Sequence, residues 1–126
     1  MNTLDQSYDA PVLDQVASGP DRRQHKRYQV GFYLRAVEKA TNRVIGQVLD
    51  VSAGGIMLSS PKPIQAYRLV HCTLEASLEN GAAIHMSAQC LSVWCRQDEF
   101  GSGYTAGFKF VVVDKGPLEA LMDMLS

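Results

Sequence analysis

Little in this sequence points outward: no excess of charge of one sign, no long apolar run, few cysteines and few aromatics. Twelve lysines and arginines against thirteen aspartates and glutamates leave a formal net charge of −1. That balance excludes the global field that draws a protein onto a nucleic-acid polymer, so any electrostatic function has to come from local clustering. Aromatic residues are 8% of the chain, and the strand-like stretches lack interleaved basic residues. Both argue against a small single-strand-binding barrel, which needs stacking platforms in a basic groove.

The three cysteines, Cys72, Cys90 and Cys95, are odd in number, and no pair has C-x-x-C spacing. A zinc site or a thioredoxin-like motif is therefore not expected. Cys90 and Cys95 sit in an apolar run, where a free cysteine behaves as a small hydrophobe, and this usage suggests a reducing compartment. The opening MNTLDQSYDAPVLDQ carries acidic groups and no long apolar stretch. It matches neither a signal peptide nor a membrane anchor, and a cytoplasmic protein without membrane insertion is expected. There is no G-x-S-x-G elbow, H-E-x-x-H helix or phosphate-binding P-loop, and Ser52 has no adjacent base, so no catalytic residues are assigned and an enzyme is not expected. His71 and His85 stand alone in strand patterns and read as surface residues rather than metal ligands. No cofactor or metal is expected.

What is present suits one domain of mainly β structure. The chain has 126 residues, 46% of them hydrophobic, enough for a core without disulfides. Residues 1–20 are polar and acidic, end in Ser18-Gly19-Pro20, and read as a flexible arm. Val30, Phe32, Leu34 and Ala36 alternate with period two, predicting a strand over 28–38. A turn near Ala40-Thr41-Asn42 leads to a second strand over 43–51. Ile56-Met57-Leu58 follows, stopped by Pro61 and Pro63. Strands are predicted over 68–78, 84–96 and 103–113, with a hairpin signal at Asn80-Gly81. Six short strands so spaced point to an antiparallel barrel or sandwich. Leu118, Leu121, Met122 and Leu125 then recur with helical spacing after Pro117, predicting an amphipathic C-terminal helix that must dock to be stable.

Two clusters could carry chemistry. In Asp21-Arg22-Arg23-Gln24-His25-Lys26-Arg27 the cations crowd just before the first strand. A guanidinium fork matches a phosphate or the O6/N7 edge of guanine, although such a segment can equally be a solvated edge. The second cluster, Asp50-Val51-Ser52-Ala53-Gly54-Gly55, lies where one strand ends and the next begins. One reading is a turn closed by Asp50 and Ser52, with the glycines supplying positive φ. The other has Asp50 accepting from guanine N1–H and N2–H₂, while bare Gly54 and Gly55 let a base or phosphate approach the backbone.

Taken together, Arg23-x-x-x-Arg27 and then Asp50-x-Ser52-x-x-Gly55 resemble the signature of the PilZ domain family of bacterial cyclic di-GMP receptors. The resemblance runs over residues 21–126, through Gly107-Phe108 and the terminal helix. It implies a six-stranded antiparallel β-barrel with a C-terminal α-helix, and an arginine loop that wraps cyclic di-GMP against the barrel. It implies that Arg23 and Arg27 contact guanine and phosphate, that Asp50 and Ser52 bind a guanine edge, and that Gly55 keeps the turn open. The resemblance also implies that Arg22, just before the motif, favours two ligand molecules per chain. Trp94 is either a stacking platform for guanine or a rim aromatic. A chain of this size would signal through a protein partner that the residues do not identify. The intact arginines and Asp50 argue against a ligand-independent adaptor.

Overall fold

The computed structural model of the chain describes residues 25–126, so the arm expected over 1–20 lies outside the described residues. Strand segments β1 (Tyr28–Gln29), β2 (Arg35–Glu38), β3 (Val44–Val51), β4 (Gly55–Ser60), β5 (Leu69–Ser77), β6 (Ala83–Gln97) and β7 (Tyr104–Val113) precede helix α1 (Lys115–Leu125). All pairings are antiparallel, in the order β1-β3-β2-β5-β6-β7-β4, and a further β3–β4 pairing joins the ends. β1 and β2 share one edge of β3, so the sheet closes as a six-stranded antiparallel barrel.

The stretch 28–38, expected as one strand, is interrupted. Tyr28 and Gln29 pair with Val51 and Asp50, and Arg35 pairs with Gln47. Residues 30–34 therefore lie against only Val48 and Leu49. The chain accommodates the surplus with an excursion, pinned at both ends by Val30 N–H to the Leu49 carbonyl (3.0 Å) and Val48 N–H to the Leu34 carbonyl (2.7 Å). The period-two burial of Leu34 and Ala36 survives it.

Inward-facing residues fill the barrel: Leu34, Val48, Leu58, Leu74 and Met86 are fully buried. Burying side chains of this kind contributes about 1.5–3 kcal/mol each. Helix α1 adds Leu118 and Leu121 to that core and packs against β6 and β1. The N-cap residue Asp114 makes no side-chain cap bond but ties the helix start to the sheet, its Oδ2 accepting from Ser87 N–H at 3.0 Å. Cys72 and Cys90 lie in the core with their sulfurs 3.9 Å apart. The hydrogen bond with Cys72, together with burial, raises the Cys90 thiol above its ordinary value, so it stays protonated and packs as a small apolar group. The predicted turns are present. Asn42 and Gly81 adopt positive φ, and Asn80 Oδ1 accepts from Ala82 N–H at 2.9 Å. Among the described residues no helix is long and apolar enough to cross a membrane.

Closure brings β3 and β4 close at Gly46, where a Cβ would stand 2.3 Å from the Ser59 carbonyl oxygen. Gly46→Ala should therefore lower stability by about 1–3 kcal/mol, the usual cost of overpacking against backbone. Urea unfolding would register this as a lower midpoint with an unchanged slope, and an unchanged midpoint would contradict the close approach.

Candidate functional site

Which side chains reach the outer face of this barrel is decided by two bulges. In β3, Val48 pairs with Leu58 but Asp50 pairs with Met57, leaving Leu49 as an extra residue. Val48 points into the core, and strict alternation would send Asp50 inward too; the bulge turns it out. In β6 the register slips between Ser92 and Trp94, leaving Val93 extra. Ser92 faces the interior and is fully buried, so without the slip Trp94 would follow it. The outcome is one outward row across neighbouring strands: Gln29, Asp50, Met57, Gly107 and Trp94. The next outward row holds Gly55, Lys109, Leu91 and Leu69.

Between these rows and the entering chain lies an open cleft of about 300 Å³. Its lining includes His25 and Arg27 from the entering segment, Ser52 and Gly54 from the β3–β4 turn, Trp94 from β6 and Lys109 from β7. Among the described residues no carboxylate lines it. Asp50 stands behind it, 8% exposed, and accepts a hydrogen bond from Arg27 Nη1 at 2.6 Å. A charge-assisted contact of this length orients the guanidinium and leaves its remaining N–H groups able to donate elsewhere. Lys26 turns away from the cleft onto Tyr28, 5.2 Å from the ring centroid.

The β3–β4 turn is held by Ser52. Its N–H donates to the Gly55 carbonyl at 2.9 Å, and its Oγ accepts from the N–H groups of Gly54 (3.1 Å) and Gly55 (3.2 Å). The glycines serve a different need from the one expected. Neither Gly54 nor Gly55 has positive φ; close approach to backbone requires the glycine at 55, while Gly54 makes room for a side chain. A Cβ on Gly55 would lie 2.0 Å from the Phe108 carbonyl oxygen, and one on Gly54 would lie 2.7 Å from the His25 ring. The surface left bare by Gly54 is thus covered by imidazole.

Trp94 is half-buried and lies over Gly107, where a Cβ would meet its Nε1 at 2.2 Å. The Arg96 guanidinium is 5.2 Å from the indole centroid, a cation–π arrangement. The indole is thus both a wall of the cleft and a lid on Gly107, so the two sequence alternatives for Trp94 are not exclusive.

Comparison with known proteins identifies the family. The family model described as the PilZ domain matches residues 21–126. The chain belongs to the PilZ family. Two solved structures share the fold at low identity. The Bacillus subtilis inhibitor of motility MotI/DgrA superposes with a TM-score of 0.66 at 15% identity, over 82% of this chain and 49% of that one. The chain thus spans about half the length of that protein. The PilZ domain of Escherichia coli YcgR, solved with c-di-GMP, superposes with a TM-score of 0.58 at 19% identity, covering 82% of this chain and 88% of the other. No curated protein sequence matches.

Of the site residues expected from the PilZ motifs, Arg27, Ser52, Gly54 and Gly55 line the cleft with Trp94, and Asp50 supports Arg27 from behind. Arg22 and Arg23 lie outside the described residues. Two polar lining residues, His25 and Lys109, were not assigned from sequence. His25 was visible only as a neighbour of the arginines. Lys109 gave no signal, because a lone lysine on a strand is ordinary. His71 and His85 are exposed on β5 and β6, and no metal-holding group of side chains occurs among the described residues.

A Gly107→Ala chain should keep its fold but displace the indole, since a flexible side chain rather than backbone obstructs the new methyl group. Trp94 is the one tryptophan, so intrinsic fluorescence reports on it alone. A red-shifted emission maximum is expected. An emission spectrum identical to wild type would mean that the ring does not cover Gly107.

Proposed function

We propose that this PilZ chain is a cyclic di-GMP receptor that acts as an adaptor and has no catalytic activity. The observation that carries the reading is the meeting of Arg27 with the Ser52–Gly55 turn and Trp94 around a cleft that no carboxylate lines among the described residues. A bis-guanine phosphodiester needs three things: hydrogen-bonding forks, cationic partners for phosphate and an aromatic or bare surface for a flat base. Arg27, steadied by Asp50, offers part of its fork to a guanine edge or a phosphate. The Ser52 turn and Gly54 offer close approach to backbone once the His25 ring moves aside. Arg22 and Arg23, just upstream of Arg27 in sequence, complete the cationic set, and two ligand molecules per chain are expected from Arg22. The PilZ domain of YcgR, solved with c-di-GMP, supports the ligand class.

Signal output in this reading is conformational. Ligand that engages Arg22, Arg23 and Arg27 together reorganises the segment entering β1, and a protein partner that prefers one arrangement is switched. Only such a difference in affinity can move the equilibrium. The setting is a cytoplasm that holds the second messenger.

Isothermal titration with cyclic di-GMP tests the reading. Wild type should bind near two ligands per chain. The Arg23→Ala/Arg27→Ala chain should lose binding, since charge-assisted hydrogen bonds contribute about 1.5–3 kcal/mol each. Absence of binding by the wild-type chain would instead leave a ligand-independent interaction domain. If NMR relaxation found the segment before Tyr28 equally mobile with and without saturating ligand, the switching mechanism would be excluded.

A further inference from the structure

The PilZ signature accounts for cations on the segment entering the barrel but for none on the barrel wall. The wall supplies one. Lys109 is exposed on β7 and pairs directly across from Gly55 of β4. The two strands are drawn together there because Gly55 lacks a Cβ that would strike the Phe108 carbonyl. Gly54 is tied to the same stretch by the Phe110 N–H to Gly54 carbonyl hydrogen bond of 2.9 Å. The backbone of Lys109 is therefore fixed beside the Ser52 turn by the sheet, whatever the entering segment does. Its side chain borders the same cleft as Arg27 and Trp94. Among the described residues no carboxylate lies within ion-pair distance of it, whereas Arg27 and Arg35 each have one.

We infer that Lys109 is a ligand-binding residue of the cleft, contacting a phosphodiester oxygen of the bound dinucleotide. The inference rests on the cyclic di-GMP reading and adds to it a contact outside both sequence motifs. The division of labour follows from the chemistry of the side chains. A planar guanidinium reads the edge of a base, while an ammonium is a compact, rotatable charge without directional demand, suited to phosphate oxygens that offer several acceptors. Arg27 spends part of its fork on Asp50, so a phosphate in this cleft finds in Lys109 a cation with no such commitment among the described residues. Because that cation stands on a closed barrel, it attracts the ligand before the arginine segment rearranges around it.

The test compares full-length wild type with Lys109→Met and Lys109→Arg chains by titration with cyclic di-GMP at about 0.05 M and 0.5 M salt, concentrations that bracket strong and weak screening. Lys109→Met should bind about tenfold more weakly at low salt, the loss of one charged contact. Its affinity should also fall less steeply with salt than that of wild type. Lys109→Arg keeps the charge and should bind within about threefold of wild type. Thermal melting should be unchanged in both, since the side chain is exposed. Wild-type binding together with unaltered affinity and salt dependence in Lys109→Met would overturn the role of Lys109 while leaving the receptor reading intact. No binding by wild type would overturn both.

Discussion

A side chain on a strand of a closed barrel has two places to go, the core or the outer surface, and one extra residue in the strand exchanges them. The candidate site of this PilZ protein depends on that switch being made twice. The bulge at Leu49 delivers Asp50 to the outside and leaves Val51 facing in, and the bulge at Val93 does the same for Trp94 after Ser92. Removing either extra residue from the register would carry a carboxylate or an indole into a core already filled by Val48, Leu58 and Met86. An unpaired carboxylate there would be far too costly to bury ionised. The closed barrel and the outward site are thus compatible only through these two irregularities.

With Asp50 outside but still largely covered, its charge must be answered nearby, and Arg27 answers it at 2.6 Å. The entering segment is thereby tied to β3 at the mouth of the cleft. The same pairing accounts for how a nearly neutral chain holds a positive local surface. Asp50 orients an arginine and stays behind the lining, so that among the described residues Arg27 and Lys109 border the cleft without an acidic neighbour in it. Tight backbone contacts at Gly46 and Gly55 hold β3, β4 and β7 close enough for these side chains to share one face.

Much of this was legible in the residues. The period-two stretches, the turns at Asn42 and Gly81, and the terminal helix with Leu118 and Leu121 inward all follow from local pattern. The association of the arginine segment with the Asp50–Gly55 turn followed from the PilZ resemblance. Other features were not legible, and each for an identifiable reason. The break in the stretch 28–38 depends on how many residues β3 sets opposite it, which alternation within one strand does not reveal. The glycines of the turn suggested positive φ, because local rules weigh backbone freedom and know nothing of a Phe108 carbonyl or a His25 ring arriving from elsewhere. Lys109 was silent because an exposed strand lysine has no distinguishing neighbours in sequence.

By itself, then, the sequence determined most of the elements and their order, which rest on local periodicity, and through two short motifs its resemblance to the PilZ family. Tertiary structure alone decided which face Asp50 and Trp94 occupy, why Gly55 must be glycine, and that Lys109 borders the same cleft. Each of those depends on strand register, a property of two paired strands that neither strand carries alone.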